Sequence, residues 1–361
     1  MFFSKTLHSH QTVCELCAQY VKLKSPLMRH NTVANYKTSL KIISEHPFGH
    51  LKVREVTKTK AKLFLSALQN EDGRSFPMIR NLRGVLRPAF EQAVDDGIIN
   101  SNPFDFELKS VLRNDIGRRD ALTAEELSAF LSYVRDHKQF YKYYDLFYLQ
   151  FHTGLRVSEL CGLTESDIHF DEHYISVERQ LQRKRTMELY LTLPKTRAGI
   201  RKVPITPDVE ICLHQILANR PINSDTFAVS GDNRSIPDTH GFLFFDRNGT
   251  PFVAQTVENH YRTVSASFNR YLRSRINSNT NETSLKPITS HVARHTFCSL
   301  RVKEGMQPVT LQCIMGHSSI RTTLGWYTHL TDTDVINEAL SVMNKDSNYA
   351  KYNIPQQVTG E

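Results

Sequence analysis

The hydrophobic pattern changes period part-way along the chain, and that change restricts the fold more than any other feature. From about residue 10 to 104, apolar residues recur at helical spacing. Val33, Tyr36, Leu40 and Ile43 make one stripe. Leu82, Val85, Leu86, Ala89, Phe90 and Ala93 make a longer one, as one face of a helix with 3.6 residues per turn requires. Pro88 interrupts the longer stripe and predicts a kink. Arg80, Arg83 and Arg87 fall on the opposite side of that helix, since residues three and four apart are neighbours. Asn100 to Pro103 supplies turn residues and ends the run. Residues 105–120 then carry Lys109, Arg113, Arg118 and Arg119 without sustained periodicity. They read as a linker. Thr123 with Glu126 forms a capping box and opens a new helix.

Beyond that point the pattern is mixed. Helical stretches cover about 123–137, 141–152, 156–163, 207–219, 254–275, 291–304, 308–315 and 333–343. Tyr174–Val177, Leu189–Leu193 and Lys202–Ile205 have strand character. Pro194 to Arg201 reads as the turn between the last two, with Gly199 suited to it. Residues 221–240 and 277–286 are loops rich in Asn, Ser, Asp and Thr. The expected organisation is a short remnant at 1–10, an all-α domain at 11–104 and a linker at 105–120. A mixed α+β domain follows at 121–345, mostly helical with a small antiparallel sheet, and then a flexible tail at 346–361.

Lys and Arg number 45 against 37 Asp and Glu, a net charge of +8. That excess suits a polyanionic partner but does not choose between DNA, RNA and an acidic membrane. The six cysteines are too few for a disulfide scaffold in 361 residues. Cys14 and Cys17 form a C-x-x-C with no second pair at zinc-ribbon spacing, so they read as reduced helix cysteines. Ser4 and Lys5 follow Met1-Phe2-Phe3 directly, which leaves no room for a signal peptide's apolar region. No apolar run approaches the length of a membrane span. A cytoplasmic, nucleoid-associated protein is expected.

Five segments of the second half carry chemistry when taken together. They are Thr153-Gly154-Leu155-Arg156-Val157-Ser158-Glu159-Leu160, Leu193-Pro194-Lys195-Thr196, His291-Val292-Ala293-Arg294-His295-Thr296-Phe297, Met315-Gly316-His317-Ser318-Ser319 and Trp326-Tyr327-Thr328-His329. Metal-free cleavage of a phosphodiester needs a nucleophile, fixed cations for the charge that grows on the non-bridging oxygens, and a proton donor for the leaving oxygen. Arginine suits the clamp because its planar fork donates two parallel bonds and keeps its charge. Arg156 and Arg294 are the candidates. Lys195, at a hairpin tip, could reach into a duplex as the acid. His291 and Arg294, three apart at a helix start, project the same way. His317 follows a glycine turn and could donate to a phosphate oxygen. Tyr327 would be the nucleophile, a phenol of pKa about 10 that needs activation. Each residue alone has an ordinary reading, as a surface ion pair, a turn lysine, a cap, a half-buried histidine or a packing tyrosine. The order and company of the five make the case.

In that order the segments resemble the tyrosine recombinases, the phage integrase family, and most of all the integrases of conjugative transposons and phages of Gram-positive bacteria. The resemblance spans residues 153–329, and the helical first half resembles the family's core-binding, SAM-like domain. It implies that Tyr327 attacks a scissile phosphate to give a 3′-phosphotyrosyl link and a 5′-hydroxyl. Arg156 and Arg294 then stabilise the pentavalent phosphate, Lys195 is the general acid and His291 assists proton transfer. His317 donates to a non-bridging oxygen, and Glu159 orients its neighbours from behind. It implies no metal and no other cofactor. It implies double-stranded DNA as substrate and a homotetramer on two DNA sites, with excision or host DNA-bending factors as accessory partners. The segment with Val335, Ile336, Leu340 and Met343 resembles the tail helix that docks on the next protomer. Members of this group often carry a further N-terminal domain for arm-type sites. Here the helices begin about ten residues after Met1, which points to a truncated form or a two-domain type.

Arg80, Arg83, Arg87, Arg113, Arg118, Arg119, Arg197, Arg201 and Lys202 are candidates for phosphate contact, which would position the protein without reading sequence. The competing readings are an architectural DNA-binding protein, a type IB topoisomerase-like enzyme, a metal-dependent nuclease and an RNA-binding module. The complete set from Arg156 to Tyr327 argues against the first. Absence of an Asp/Glu cluster at suggestive spacing argues against the nuclease.

Overall fold

The computed structural model describes residues 10–28, 30–114, 121–184, 186–221, 229, 231, 239–275, 287–328, 334 and 336. The chain divides into two compact units, 1–118 and 119–361. Arg118 and Arg119, the tail, the remnant at 1–9 and the expected helix at 333–343, apart from Asp334 and Ile336, lie outside the described residues.

The first unit is helical. Helices α1 (Val13–Lys24), α2 (His30–Glu45), α3 (Lys58–Asn70) and α4 (Phe76–Asp95) enclose one core. Thr12 and Glu15 cap the start of α1 reciprocally, and Thr57 caps α3. The stripe Leu82, Val85, Leu86, Ala89, Phe90 and Ala93 is fully buried on α4. The helix runs on through Pro88. Residues 105–114, read above as part of a linker, belong to this unit: Leu108 and Leu112 are buried in its core. Too few apolar positions recur there to show a period, because the segment packs as irregular chain and one short 3-10 turn.

The second unit is mostly helical with two small antiparallel sheets. It contains α5 (Ala124–Asp136), α6 (Tyr144–Thr153), α7 (Val157–Cys161), α8 (Pro207–Ala218), α9 (Ala254–Arg275), α10 (Ser290–Lys303), α11 (Pro308–Met315) and α12 (Ile320–Tyr327). The Thr123–Glu126 capping box is present. Strands β1 (Ile168–His169), β2 (Tyr174–Val177) and β5 (Arg201–Pro204) form one sheet in the order β1-β2-β5. β3 (Gln180–Arg183) and β4 (Leu189–Thr192) form a separate hairpin. The expected turn between β4 and β5 is therefore not a hairpin. β4 pairs with β3, and β5 crosses to β2, aligning Val203 with the buried Ile175. β3 escaped notice because Leu181 is its one inward apolar residue.

A single core of buried residues joins α5 to α11 and both sheets. Among the described residues no helix is long and apolar enough to cross a membrane.

Candidate active site

Two helices end at glycines with left-handed backbone, and these turns set the site. Gly154 closes α6 at φ 64° and Gly316 closes α11 at φ 62°. Neither could carry a side chain: a Cβ would lie 2.5 Å from the Phe297 ring at Gly154 and 2.8 Å from the Ala198 carbonyl oxygen at Gly316. The carbonyl of Gly154 accepts a hydrogen bond from Nη1 of Arg294 at 2.6 Å, and the carbonyl of Gly316 accepts one from Nη2 of Arg156 at 3.0 Å. Arg294 also donates to the Met315 carbonyl.

Arg156 stands at the N-cap of α7, and Glu159 one turn on is completely buried. The Arg156 backbone N–H donates to Glu159 Oε2 at 2.9 Å and its Nη1 donates to Oε1 at 2.7 Å. Arg201 approaches the same carboxylate from β5, Nη1 to Oε1 at 3.1 Å and Nη2 to Oε2 at 2.9 Å. One carboxylate is thus shared by two guanidiniums, with Arg294 close by.

Burial alone would raise the Glu159 pKa, but Arg201, Arg156 and Arg294 outweigh it and hold the carboxyl below its ordinary value. Burial, with repulsion from Arg156 and Arg201, pushes Arg294 down to about 9, so it stays protonated at neutral pH. Burial and the three arginines push His317 down to about 4, so its imidazole is neutral at pH 7. His317 Nδ1 lies 3.0 Å from Thr323 Oγ1, a buried hydroxyl on α12. Gln312 Nε2 donates to the His317 carbonyl at 3.0 Å.

The other expected residues fall as follows. Tyr327 is the last residue of α12, half-buried, and its hydroxyl donates to the Met306 carbonyl. Trp326 beside it packs on His295, ring centroids 4.8 Å apart. His291 and Arg294 share the first turns of α10 but part company: Arg294 is 6% exposed, whereas His291 is exposed, its ring 6.3 Å from that of His295. Lys195 is exposed on the segment that passes between the two sheets, not at a hairpin tip.

Of the expected DNA contacts, the structure turns Arg201 inward and gives Arg83 and Arg87 partners within the protein. Arg201 is 5% exposed in its side chain and places four of its five N–H donors on Glu159 and the carbonyls of Gly199 and Ile314, so its burial turns it inward rather than toward a phosphate on the surface. Arg83 is half-buried and donates to the carbonyls of Phe104 and Phe106 at 2.8 and 2.6 Å. Arg87 pairs with Asp105 at 2.8 Å. Lys202 is exposed, with its ammonium 4.0 Å above the Tyr174 ring. Arg80, Arg113 and Arg197 are exposed. Thr323, Gln312 and the contacts of Arg201 with Glu159 and Ile314 were missed, as was helix α12. The spacing of Ile320, Thr323, Leu324 and Tyr327 after Ser318-Ser319 would have given the helix.

The model of the phage integrase family matches residues 120–334, more than half of the chain and the whole of this site. The chain belongs to the phage integrase family. This integrase is a site-specific tyrosine recombinase, an enzyme that cleaves and rejoins DNA. The transposase of transposon Tn916 from Enterococcus faecalis is 32% identical to it over 336 residues, 93% of this chain and 78% of the relative. The structure of the Tn1549 transposon integrase with a circular intermediate DNA superposes with a TM-score of 0.80 at 32% identity, covering 92% of this chain and 99% of that one. A lambda integrase tetramer bound to a Holliday junction shares the fold, with a TM-score of 0.56 at 19% identity over 88% of this chain and 80% of that one.

Proposed function

We propose that this integrase recombines the ends of a mobile element of the Tn916 and Tn1549 kind, for integration, excision or both, through a 3′-phosphotyrosyl bond made by Tyr327. The observation that carries the reading is the cluster of three guanidiniums, Arg201 and Arg294 buried and Arg156 partly exposed, around one buried carboxylate, a site of net positive charge beside a neutral histidine donor. A phosphate passing to a pentavalent state gains charge on its non-bridging oxygens, and fixed cations in a dry site stabilise that change most.

In the cleavage step Tyr327 Oη forms a bond to phosphorus. The P–O5′ bond breaks, and its electron pair goes to O5′. O5′ takes a proton from Lys195 Nζ, and the phenol proton passes to His291. Arg156 and Arg294 hold the non-bridging oxygens, His317 donates to one of them, and Glu159 holds Arg156 in place. A 5′-hydroxyl from the partner strand reverses the step and exchanges strands. No metal ion or nucleotide takes part, because the phosphotyrosine keeps the bond energy. Two duplexes present four strands, each needing one nucleophile, so a homotetramer on two DNA sites is the working form. The segment at about 333–343 supplies the contact between protomers, and accessory factors bias the direction. The region at 11–104 is a DNA-binding domain that completes the grip on each site, with Arg80, Arg113, Arg197 and Lys202 as phosphate contacts.

The test is a nicked duplex of the element's junction that traps the covalent product, incubated in EDTA and resolved on a denaturing gel. The wild-type protein is expected to form a protein–DNA adduct and Tyr327→Phe none. No adduct from either, on a duplex the protein demonstrably binds, would return the chain to the architectural reading.

A further inference from the structure

We propose that Arg201 is a positioning residue for the general acid: it fixes the loop bearing Lys195 against the phosphate clamp, so protonation of the leaving 5′-oxygen depends on it. This rests on the reading of Lys195 as the acid given above.

The loop leaves β4 in one sheet and enters β5 in another, so no ladder holds residues 193–200. Its own turn is tight. The Gly199 N–H donates to the Thr196 carbonyl at 2.8 Å, and Gly199 lies so close on Pro194 that a Cβ would sit 2.4 Å from the proline Cβ. Lys195 is therefore fixed with respect to Gly199. Arg201 Nη1 donates to the Gly199 carbonyl at 3.0 Å. The same guanidinium grips both oxygens of Glu159, and its Nε donates to the Ile314 carbonyl near the end of α11. One side chain joins the acid's loop, the helix that starts at Arg156 and the helix end that leads to His317.

The clamp itself depends less on it. Arg294 is anchored on Gly154 and Met315, and Arg156 on Gly316 and Glu159, through bonds that do not involve Arg201. Arg201 gives the loop a direct hydrogen bond to this cluster. A lysine at 201 would keep one charge near Glu159 but not the planar fork that serves three directions.

A leaving group that needs no proton separates the two roles. Single-turnover cleavage is measured for the wild type, Lys195→Ala, Arg201→Lys and Arg294→Lys on a nicked junction duplex. One substrate has the ordinary 5′-oxygen at the scissile bond and the other a 5′-bridging sulfur, whose thiol pKa of about 8.5 lets it depart as thiolate. On oxygen, Lys195→Ala is expected to lose about a hundredfold or more, as removal of a general acid does. Arg201→Lys should lose about tenfold to a hundredfold, a partial form of the same loss. On sulfur both should return to within a few-fold of wild type, while Arg294→Lys stays impaired on both.

An equal loss for Arg201→Lys on the two substrates overturns the proposal and assigns Arg201 to the clamp or the fold. Full activity on oxygen overturns it too. If sulfur fails to relieve Lys195→Ala, the assignment of Lys195 as the acid falls first, and this inference with it.

Discussion

Arg83 in the N-terminal unit and Arg294 in the C-terminal unit are held alike, each guanidinium donating to two backbone carbonyls. Their surroundings differ. Near Arg83 are Arg87 and the exposed Asp105, which already pairs with Arg87, and the Phe106 ring lies 5.5 Å below the Arg83 guanidinium. Around Arg294 are two further arginines and a single carboxylate, all withdrawn from water to varying degrees. The first arginine braces a turn of its own chain, half-exposed beside an ion pair that water screens. The second belongs to a cluster whose charge is uncompensated and poorly screened, which is what an incoming phosphate can use.

The contrast can be broken by four measurements. The largest effect is expected for Arg294→Ala, which should slow covalent adduct formation by about a hundredfold to a thousandfold, the usual cost of losing one fixed donor to a developing oxyanion. Adduct formation within a few-fold of wild type would show that the buried cluster is structural. Glu159→Gln comes next. It should lower stability by about 3 kcal/mol at neutral pH, since the buried arginines lose their partner. The folded pKa of Glu159 is depressed, so its stabilisation is complete above the unfolded value of about 4.3 and fades as pH falls through the folded one. Thermal melts of the two proteins should therefore converge in acid. A gap that persists there would deny the charge an energetic role.

Arg83→Ala is expected to cost about 2 kcal/mol in denaturant melts, from two charge-assisted bonds, and to leave adduct formation per folded molecule unchanged. The smallest change belongs to Arg87→Ala, about 0.5 kcal/mol for an exposed pair. Its DNA affinity should keep the wild-type salt slope. A slope reduced by about one would restore Arg87 to the phosphate contacts and erase the distinction drawn here.

Much of the fold was readable because long amphipathic helices declare themselves. The α4 stripe, the α5 cap and the span of α9 follow from local spacing. The sheets were less legible. Four-residue strands such as Gln180–Arg183 carry too few side chains to show alternation, so β4 was paired with β5 instead of β3. In the site, Arg156, Glu159, Arg294 and His317 were found by their company and do converge. Arg201 was misread because a basic residue next to a turn looks like surface. Its burial comes from Glu159, 42 positions earlier, and from Ile314, 113 positions later, contacts that no local pattern records. The contacts of Arg83 were hidden for the same reason, since one of its acceptors, Phe106, lies on chain that had been taken for linker.

The clamp arginines lean on the main chain at Gly154, Met315 and Gly316, and every amino acid has a carbonyl to offer. A saturation scan should find this anchorage tolerant at Met315, where another apolar residue still presents the same oxygen. It should be intolerant at the two glycines, where any addition displaces that oxygen. The enzyme's mutational weak points thus include two residues that have no side chain at all.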